Sequence, residues 1–292
     1  MRSLRAIFLA FVATLLAVSH ARAGEEAAKP LFTFAVVSDT HLSRGGKAAT
    51  EAMAAAVAEI NASPAEFTLF LGDLVEQGAK HEEFYPEWVS TAKGLKKPFH
   101  AIPGNHESRE FFTKYVRPET DYAFDHKGYR FVLFSDVDSA SHDGIVTPAQ
   151  NKWIAEQVDD AAAKKLRVIL CAHVAAHPNK HPDVAWFVRE GGKELAVLLH
   201  AKNDTLVAFL AGHFHYGLRG WDDRAGVLEL VMPSLAWNSP RKLEGAPGFW
   251  LDEFRRGYVL VDVYDGKLGI TYKPLGGEAK ARRIIEMRRK AE

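Results

Sequence analysis

The sequence predicts an α/β fold in which helices are layered against β-structure. Short apolar runs, each of a length suited to a buried strand, alternate with helical patterns through most of the chain up to Gly217. After Gly217 the pattern consists of strands and loops without clear helices. Strand–helix units followed by a mostly β region are typical of layered α/β architectures.

The composition is that of an ordinary globular protein and excludes several functional classes. Of the 292 residues, 47% are apolar and 25% are charged, which excludes wholesale disorder and collagen-like repetition. The 37 basic residues balance 37 acidic ones, so the basic excess of a dedicated nucleic-acid-binding protein is absent. The single cysteine, Cys171, permits neither an intramolecular disulfide nor a cysteine-based zinc site.

Residues 1–23 have the pattern of a secretory signal peptide. Two arginines precede an apolar run over residues 6–18, and Ala21 and Ala23 place small residues around a cleavage position. The run is shorter than the roughly 20 residues that span a bilayer, which favours a cleaved signal over a membrane anchor. We therefore expect an exported protein, periplasmic or secreted, that starts near Gly24 and has no transmembrane anchor after cleavage.

The elements up to residue 164 follow from apolar periodicity and from helix caps. The predicted strands cover residues 31–38, 67–71, 98–102, 122–126 and 129–135, the last two forming a hairpin. The predicted helices cover residues 48–60, 82–95 and 147–164. The third opens on an N-cap, Thr147, followed by Pro148 at the first helical position.

The remaining elements are mostly strands. They cover residues 166–172, 205–211, 227–232, 257–263 and 268–272. Asp183 is a candidate cap for a helical stretch that Gly191 and Gly192 interrupt. We expect a single domain over residues 24–277, followed by a basic C-terminal helix or tail over residues 278–292.

Residue types that bind metals follow five of the predicted strands, at the point where each strand ends. They are Asp39 and His41, Asp73, Asn105 with His106 and Glu107, His173, and His213 with His215. Ligands of open α/β sheets gather at the carboxyl ends of the strands, so these five loops should converge on one crevice. Residues two apart in extended backbone face the same way, so each Asp/His or His/His pair can point at one site.

The chemistry of this set favours two metal ions. Carboxylates, imidazoles and one carboxamide suit manganese, iron or zinc better than calcium. The candidate ligands outnumber the four of a closed structural zinc site but suit two ions that share a carboxylate. Such a pair can clamp the attacking and leaving oxygens of a phosphoryl displacement. The candidates are Asp39, His41, Asp73, Asn105, His173, His213 and His215.

The ordered motifs D-x-H, G-D, G-N-H-E, H and G-H-x-H strongly resemble those of the calcineurin-like metallophosphoesterase family. The resemblance implies a four-layer αββα sandwich of two mixed sheets flanked by helices. It also implies a metal-dependent phosphoesterase that cleaves small phosphodiesters or phosphomonoesters, nucleotides among them, by means of a hydroxide bridging two metals.

The resemblance also assigns roles to individual residues. Asp39, His41 and His215 would bind one metal, Asn105, His173 and His213 the other, and Asp73 would bridge them. Asn105 would also contact the substrate. His106 would stabilise the phosphoryl oxygens or protonate the leaving alkoxide, with Glu107 orienting its imidazole. Glu107 could equally begin the following helix.

Substrate specificity is expected from the loops around the metals, above all from residues 233–250. There Trp237 could stack on an aromatic group and Arg241 could hold a phosphate. Alternatively, the aromatic residues of this segment cover the edge of the sheet. His177 and His181 are expected to be solvent-exposed loop residues.

Three other functions are alternatives. A purple-type acid phosphatase has a tyrosine ligand three residues after the bridging aspartate, where this chain has Glu76. A non-catalytic metal- or phosphate-binding protein could keep the same fold. A metallo-β-lactamase-like hydrolase would need an H-x-H-x-D-H stretch, which the sequence does not contain. The motifs leave the metal identity and the oligomeric state undetermined.

Overall fold

The strands alternate with helices up to residue 211 and then follow one another almost directly, as the sequence predicts. The computed structural model describes residues 29–43, 47–76, 81–137, 141–178, 186–224, 227–240, 249–251, 253–279 and 281–287. The expected signal peptide, Asp183, His181 and Arg241 lie outside these residues. Within them, no helix has both the length and the apolar character needed to cross a membrane.

The described part of the chain contains fifteen strands. They are β1 Phe32–Val37, β2 Thr68–Leu71, β3 Phe99–Ile102, β4 Tyr122–His126, β5 Tyr129–Leu133, β6 Gly144–Ile145, β7 Arg167–Cys171, β8 Val188–Glu190, β9 Leu206–Ala211, β10 Arg219–Arg224, β11 Val227–Val231, β12 Phe249–Trp250, β13 Gly257–Tyr264, β14 Lys267–Pro274 and β15 Ala281–Glu286. The described α-helices are α1 Lys47–Asn61, α2 Tyr85–Ala92, α3 Arg109–Tyr115, α4 Pro148–Ala163 and α5 Gly192–Ala201. A 3₁₀ turn over His81–Phe84 leads into α2.

Two mixed sheets hold most of these strands. The six-stranded sheet has the order β15-β14-β13-β1-β2-β3, and the seven-stranded sheet has the order β12-β10-β11-β9-β7-β5-β4. Each sheet contains a run of parallel strands: β1, β2 and β3 at one end of the six-stranded sheet, and β5, β7, β9 and β11 in the middle of the seven-stranded sheet. A short parallel pair, β6 and β8, stands apart. Parallel strands end on the same side, and this places their following loops together.

Three apolar cores separate four layers of structure. The central core lies between the sheets, where Phe34 stacks on Phe67 with ring centroids 5.2 Å apart and meets Phe131 edge-on at 5.2 Å. A second core joins the seven-stranded sheet to α4 and α5. The third joins the six-stranded sheet to α1, α2 and α3. The predicted αββα sandwich is therefore confirmed.

The helix predicted over residues 147–164 has the expected start. The Thr147 hydroxyl accepts from the Gln150 amide at 3.2 Å, and the Gln150 side chain accepts from the Thr147 amide at 3.0 Å. This reciprocal capping satisfies two amides that a helix start otherwise leaves unpaired.

Two local predictions, for the segments around α3 and around Gly191, were incomplete or wrong. Helix α3 was expected only as the helix that Glu107 could begin; it begins at Arg109, and the Ser108 side chain caps it by accepting from Phe111 N at 3.2 Å. Instead of a helix interrupted at two glycines, the described residues form strand β8 and then α5. Gly191, with φ of 70°, separates the two elements. A Cβ there would overlap the carbonyl of Val146. The positive φ and this close approach of the backbone therefore both require glycine at position 191.

The basic C-terminal segment is not a helix where it is described. Residues 281–286 form β15, which pairs antiparallel with β14 at the edge of the six-stranded sheet. Ile285 packs against the central core and Met287 is buried, while Ile284 and Glu286 are exposed. This alternation with a period of two is that of a strand. The apolar partners on the sheet therefore outweighed the helical propensity of the charged residues.

Candidate metal centre

The five predicted loops do converge, and backbone hydrogen bonds tie them to one another. The Asp39 amide donates to the Gly72 carbonyl at 3.1 Å, and the His41 amide donates to the Asp73 carbonyl at 3.0 Å. From the second sheet, the Gly212 amide donates to the His173 carbonyl at 2.8 Å. The loops after β1 and β2, and those after β7 and β9, are thus held in register at the carboxyl edges of the parallel strands.

Much of the unusual backbone in the described chain is concentrated in these loops. Positive φ angles occur at Asp39 (55°), His41 (45°), Asp73 (48°), His213 (75°) and His215 (54°). Non-glycine residues adopt this region at a cost of order 1–3 kcal/mol each, and such strain clusters at functional sites. The surrounding structure must therefore compensate for holding these five side chains in place.

The first group of candidate ligands consists of Asp39, His41, Asp73 and His215, all buried and with ligand atoms within 4.8 Å of one another. Nε2 of His41 lies 3.0 Å from Nε2 of His215, which in turn lies 3.1 Å from Oδ1 of Asp39. Oδ2 of Asp73 lies 3.5 Å from Nε2 of His41. Four donor atoms thus face one point.

The second group adjoins the first and contains Asp73, His173 and His213. Nε2 of His173 lies 3.4 Å from Oδ1 of Asp73 and 3.2 Å from Nδ1 of His213. Oδ1 of Asn105 lies 3.2 Å from the same His173 nitrogen. The two carboxylate oxygens of Asp73 therefore face different groups, the arrangement expected of a bridging ligand. That these seven residues bind metal stays a prediction.

The hydrogen bonds of the histidines show that the site suits metal ions. His173 donates Nδ1–H to the Leu71 carbonyl at 2.7 Å, His213 donates Nε2–H to the His142 carbonyl at 2.9 Å, and His215 donates Nδ1–H to a carbonyl at 2.9 Å. The other ring nitrogen of each then presents a lone pair to the centre. Ring nitrogens and two carboxylates that converge in this way repel one another unless protons or metal ions lie between them, so the donor set fits two ions.

The carboxylates of the centre are held in the charged form. Burial would raise the pKa of Asp73, but the imidazoles of His173, His41 and His106 hold it well below its usual value. Burial likewise opposes ionisation of Asp39, yet His215 lowers the pKa of Asp39 to about 2. Both carboxylates are thus ionised despite burial because His173 and His215, whose pKa values are raised despite burial, carry protons in the metal-free site, and bound cations would replace those protons.

The predicted partner of His106 is wrong. Nδ1 of His106 lies 2.7 Å from Oε1 of Glu76, whose other oxygen lies 3.2 Å from Nδ1 of His41. Burial would lower the pKa of His106, but the hydrogen bond to Glu76 and the charge of Asp73 raise it. Glu76, the residue at the position of the purple-phosphatase tyrosine, thus occupies the orienting position expected of Glu107.

Glu107 instead fixes the backbone. Its Oε1 accepts from the Val75 amide at 3.0 Å and its Oε2 accepts from the Gly104 amide at 2.5 Å. Burial and the nearby charge of Asp73 raise the pKa of Glu107 to about 8. Glu107 therefore links the loop after β2 to the loop after β3, and sequence spacing alone could not distinguish this role from orienting His106.

Aromatic residues flank the centre at two places. The ring of Trp237, 56% exposed, lies 4.2 Å from the His215 ring at an angle of 33°. The ring of Trp186 lies 4.9 Å from that of His213 and 5.0 Å from that of His142. His142 and Trp186 were not predicted as site residues, because no motif marks them. Their placement depends on the loops before β6 and β8.

The expectation for His177 is also wrong. Its side chain is buried, and its ring stacks on Trp221 with centroids 4.7 Å apart and planes 8° apart. The His177 amide donates to the Glu229 carboxylate at 2.8 Å. His177 thus belongs to the packing behind the seven-stranded sheet.

The comparisons with known proteins agree with this geometry. The family model described as calcineurin-like phosphoesterase matches residues 32–217. The chain therefore belongs to the calcineurin-like phosphoesterase family, whose members hydrolyse phosphoric esters with a dinuclear metal centre.

Relatives and solved structures add detail. A probable glycerophosphodiester phosphodiesterase from Arcobacter nitrofigilis is 28% identical over 61% of this chain and 70% of its own length. A glycerophosphodiester phosphodiesterase from Enterobacter lignolyticus is 30% identical over 49% of this chain, which spans 54% of that relative. A dimetal phosphatase from Danio rerio superposes with a TM-score of 0.69 at 14% identity, over 89% of this chain and all of the other. A purple acid phosphatase from yellow lupin superposes with a TM-score of 0.66 at 14% identity, over 87% of this chain and 53% of the other. At these identities the two structures show the fold alone.

Proposed function

We propose that this protein is an exported, metal-dependent phosphodiesterase. The observation that carries the proposal is that the two oxygens of Asp73 face two adjoining groups of buried ligand atoms. Two ions held there would neutralise phosphoryl charge and acidify a water molecule. Asp39, His41 and His215 would hold one ion, and Asn105, His173 and His213 the other.

His106 is suited to proton transfer at the edge of this centre. Its ring meets the His41 ring edge-on at 4.8 Å, and its Nε2 lies 3.9 Å from Oδ2 of Asp73. Its side chain remains 19% exposed, so a substrate can reach it. Nδ1–H donates to Glu76, and the raised pKa of His106 favours a second proton on Nε2, which faces the centre and can be given to the departing alkoxide.

A diester substrate is favoured over a monoester. The relatives that match this chain are named glycerophosphodiester phosphodiesterases. The exposed ring of Trp237 next to His215 offers a surface for a substituent beyond the phosphoryl group. Arg241 remains a candidate for holding a second anionic group.

A purple-type acid phosphatase and a non-catalytic protein are the alternatives. The first requires a tyrosine where Glu76 stands, so we expect no tyrosinate–iron absorption band in the visible spectrum of the iron-loaded protein. The second is less consistent with a site that keeps all the predicted ligands in two adjoining groups, with His106 beside the first.

Turnover by the metal-reloaded protein tests the proposal. The protein is stripped of metal, reloaded with manganese and compared on bis-p-nitrophenyl phosphate and p-nitrophenyl phosphate, with Asp73→Asn as the blank. Asp159→Asn, an exposed carboxylate on α4, is the matched control. We expect metal-dependent turnover with a diester preference in the wild type and in the control. Rates equal to the blank with two metals bound would refute the proposal.

Export is tested separately. The signal-like pattern of residues 1–23 supports it. Expression of the full chain in a Gram-negative host should place the protein in the periplasmic fraction, with a mature N-terminus near Gly24 by Edman sequencing. An intact Met1 on cytoplasmic protein would contradict export without affecting the proposed reaction.

A further inference from the structure

His142 and Trp186 adjoin the second ligand group, and the proposed reaction makes no use of their side chains. Their rings stack with centroids 5.0 Å apart and planes 27° apart. The Trp186 ring lies 4.9 Å from the His213 ring, and the His142 ring lies 6.0 Å from it. This ring pair therefore borders the centre at the second ligand group, whereas Trp237 borders the first.

The hydrogen bonds of His142 indicate which ring nitrogen carries the proton. Asn105 lies next to it, with its Nδ2 3.4 Å from Nδ1 of His142. Because the Asn105 oxygen faces His173, its amide nitrogen is the donor in this contact, and Nδ1 of His142 accepts. Nε2 of His142 then carries the hydrogen. The side chain is exposed, so this N–H is accessible to a bound molecule.

The main chain of His142 is fixed independently of its imidazole. The His142 carbonyl accepts the Nε2–H of His213 at 2.9 Å. A substitution that changes only the side chain therefore leaves the orientation of His213 in place. This separates a direct role of the imidazole from support of a metal ligand.

The ring pair lies where a second ester substituent of the substrate would be placed. A phosphoryl group placed across the two ligand groups would have Trp237 beside the first group and His142 and Trp186 beside the second. A monoester has one substituent, whereas a diester has two. An N–H donor next to an aromatic ring can recognise an ester or hydroxyl oxygen joined to an apolar or aryl group.

We propose that His142, stacked on Trp186, determines specificity by contacting the second ester substituent of a phosphodiester. The stacked rings of His142 and Trp186 pack against the carbon atoms of that substituent, and Nε2–H of His142 donates to an oxygen where the substituent carries one. The inference rests on the proposed phosphodiesterase function and extends it from the reaction to the side of the site that distinguishes diesters from monoesters.

Binding of two unreactive anions tests the inference without turnover. Diphenylphosphinate carries two aryl groups on phosphorus and phenylphosphonate carries one, and neither has an ester bond to break. Isothermal titration of the manganese-loaded protein should show that His142→Ala weakens diphenylphosphinate binding about tenfold, the equivalent of one lost contact. Phenylphosphonate binding should weaken much less. His200→Ala, an exposed histidine in the last turn of α5, is the matched control.

Kinetics provide the second measurement. For His142→Ala, kcat/KM on bis-p-nitrophenyl phosphate should fall about tenfold, mainly through KM, and more than on p-nitrophenyl phosphate. His142→Gln, whose amide nitrogen can replace Nε2–H, should recover part of the loss. Metal content by mass spectrometry should stay at that of the wild type.

Other outcomes would overturn the inference, and one would overturn only the proposed function. Equal losses on diester and monoester ligands, or no loss at all, would show that the ring pair does not sense the second substituent. Loss of metal from His142→Ala would show that His142 only holds the candidate ligands Asn105 and His213 in position. An inactive, metal-loaded wild type that still binds diphenylphosphinate through His142 would refute the proposed function and keep the subsite, so the two failures are distinguishable.

Discussion

Glu76 and His106 form a short side-chain pair at the edge of the candidate metal centre, with 2.7 Å between Oε1 and Nδ1. The second oxygen of Glu76 lies 3.2 Å from Nδ1 of His41. One carboxylate thus contacts both a candidate proton donor and a candidate metal ligand. Second-sphere carboxylates of this kind fix the tautomer and the orientation of the imidazoles that they contact.

Glu76→Gln should lower turnover while leaving the fold intact. The amide keeps the shape of the side chain but loses the charge that strengthens its hydrogen bond to His106. We expect kcat on bis-p-nitrophenyl phosphate to fall by about tenfold or more, with metal content measured in parallel. Glu87→Gln, at an exposed position of α2, is the control. Equal turnover of the two variants would rule out a positioning role for Glu76.

Glu107→Gln should destabilise the protein through the backbone. Its two oxygens accept from the Val75 and Gly104 amides, and the NH₂ of glutamine cannot accept from the second. One buried amide is then unsatisfied, which costs about 1–3 kcal/mol of unfolding free energy. Urea unfolding of the metal-free protein measures the loss. Glu110→Gln, exposed at the start of α3, should show no change, and an equally stable Glu107→Gln would contradict the linking role.

Gly104→Ala should abolish metal retention. A Cβ at Gly104 would overlap the carboxylate and the amide of Asp73, the residue that faces both ligand groups. The bridging carboxylate must then move, so we expect loss of bound metal by mass spectrometry together with loss of turnover. At Gly192 the nearest atom to an added Cβ is 3.5 Å away, which makes Gly192→Ala the matched control. Retention of two metals by Gly104→Ala would show that the overlap is relieved without moving Asp73.

His100→Phe should reduce the sensitivity of the fold to acid. His100 stacks on Phe124 with centroids 3.7 Å apart, and burial together with the charge of Arg117 lowers the pKa of His100 to about 4. The unfolded chain, with a histidine pKa near 6.5, therefore binds a proton that the folded chain does not bind until about pH 4. The stability of the wild type falls as pH drops through this window.

The slope that His100 contributes is at most about 1.4 kcal/mol per pH unit, and less because the ring is partly exposed. Phenylalanine keeps the stack and removes the titration. Urea unfolding at pH 7.5 and pH 5 should show a smaller loss of stability in His100→Phe than in the wild type. An identical loss in both proteins would mean that His100 does not titrate in this window.

The alternation of strands and helices could be predicted from the sequence alone, and so could the residues that gather at the centre. Both are local properties: apolar periodicity marks the buried strands, and each candidate ligand directly follows one of them. Because parallel strands end on the same side, the order of the motifs was enough to predict that Asp39, Asp73 and His173 would meet.

The hydrogen-bond partners of the side chains around the centre, in contrast, depend on the tertiary structure. Glu76 rather than Glu107 faces His106, because both oxygens of Glu107 are taken by backbone amides of two different loops. His142 reaches Asn105 across a separation of 37 residues that no local pattern encodes. The C-terminal segment became strand β15 because an apolar sheet edge was available to Ile285. Contacts of this kind depend on packing between distant segments, which short-range sequence patterns do not specify.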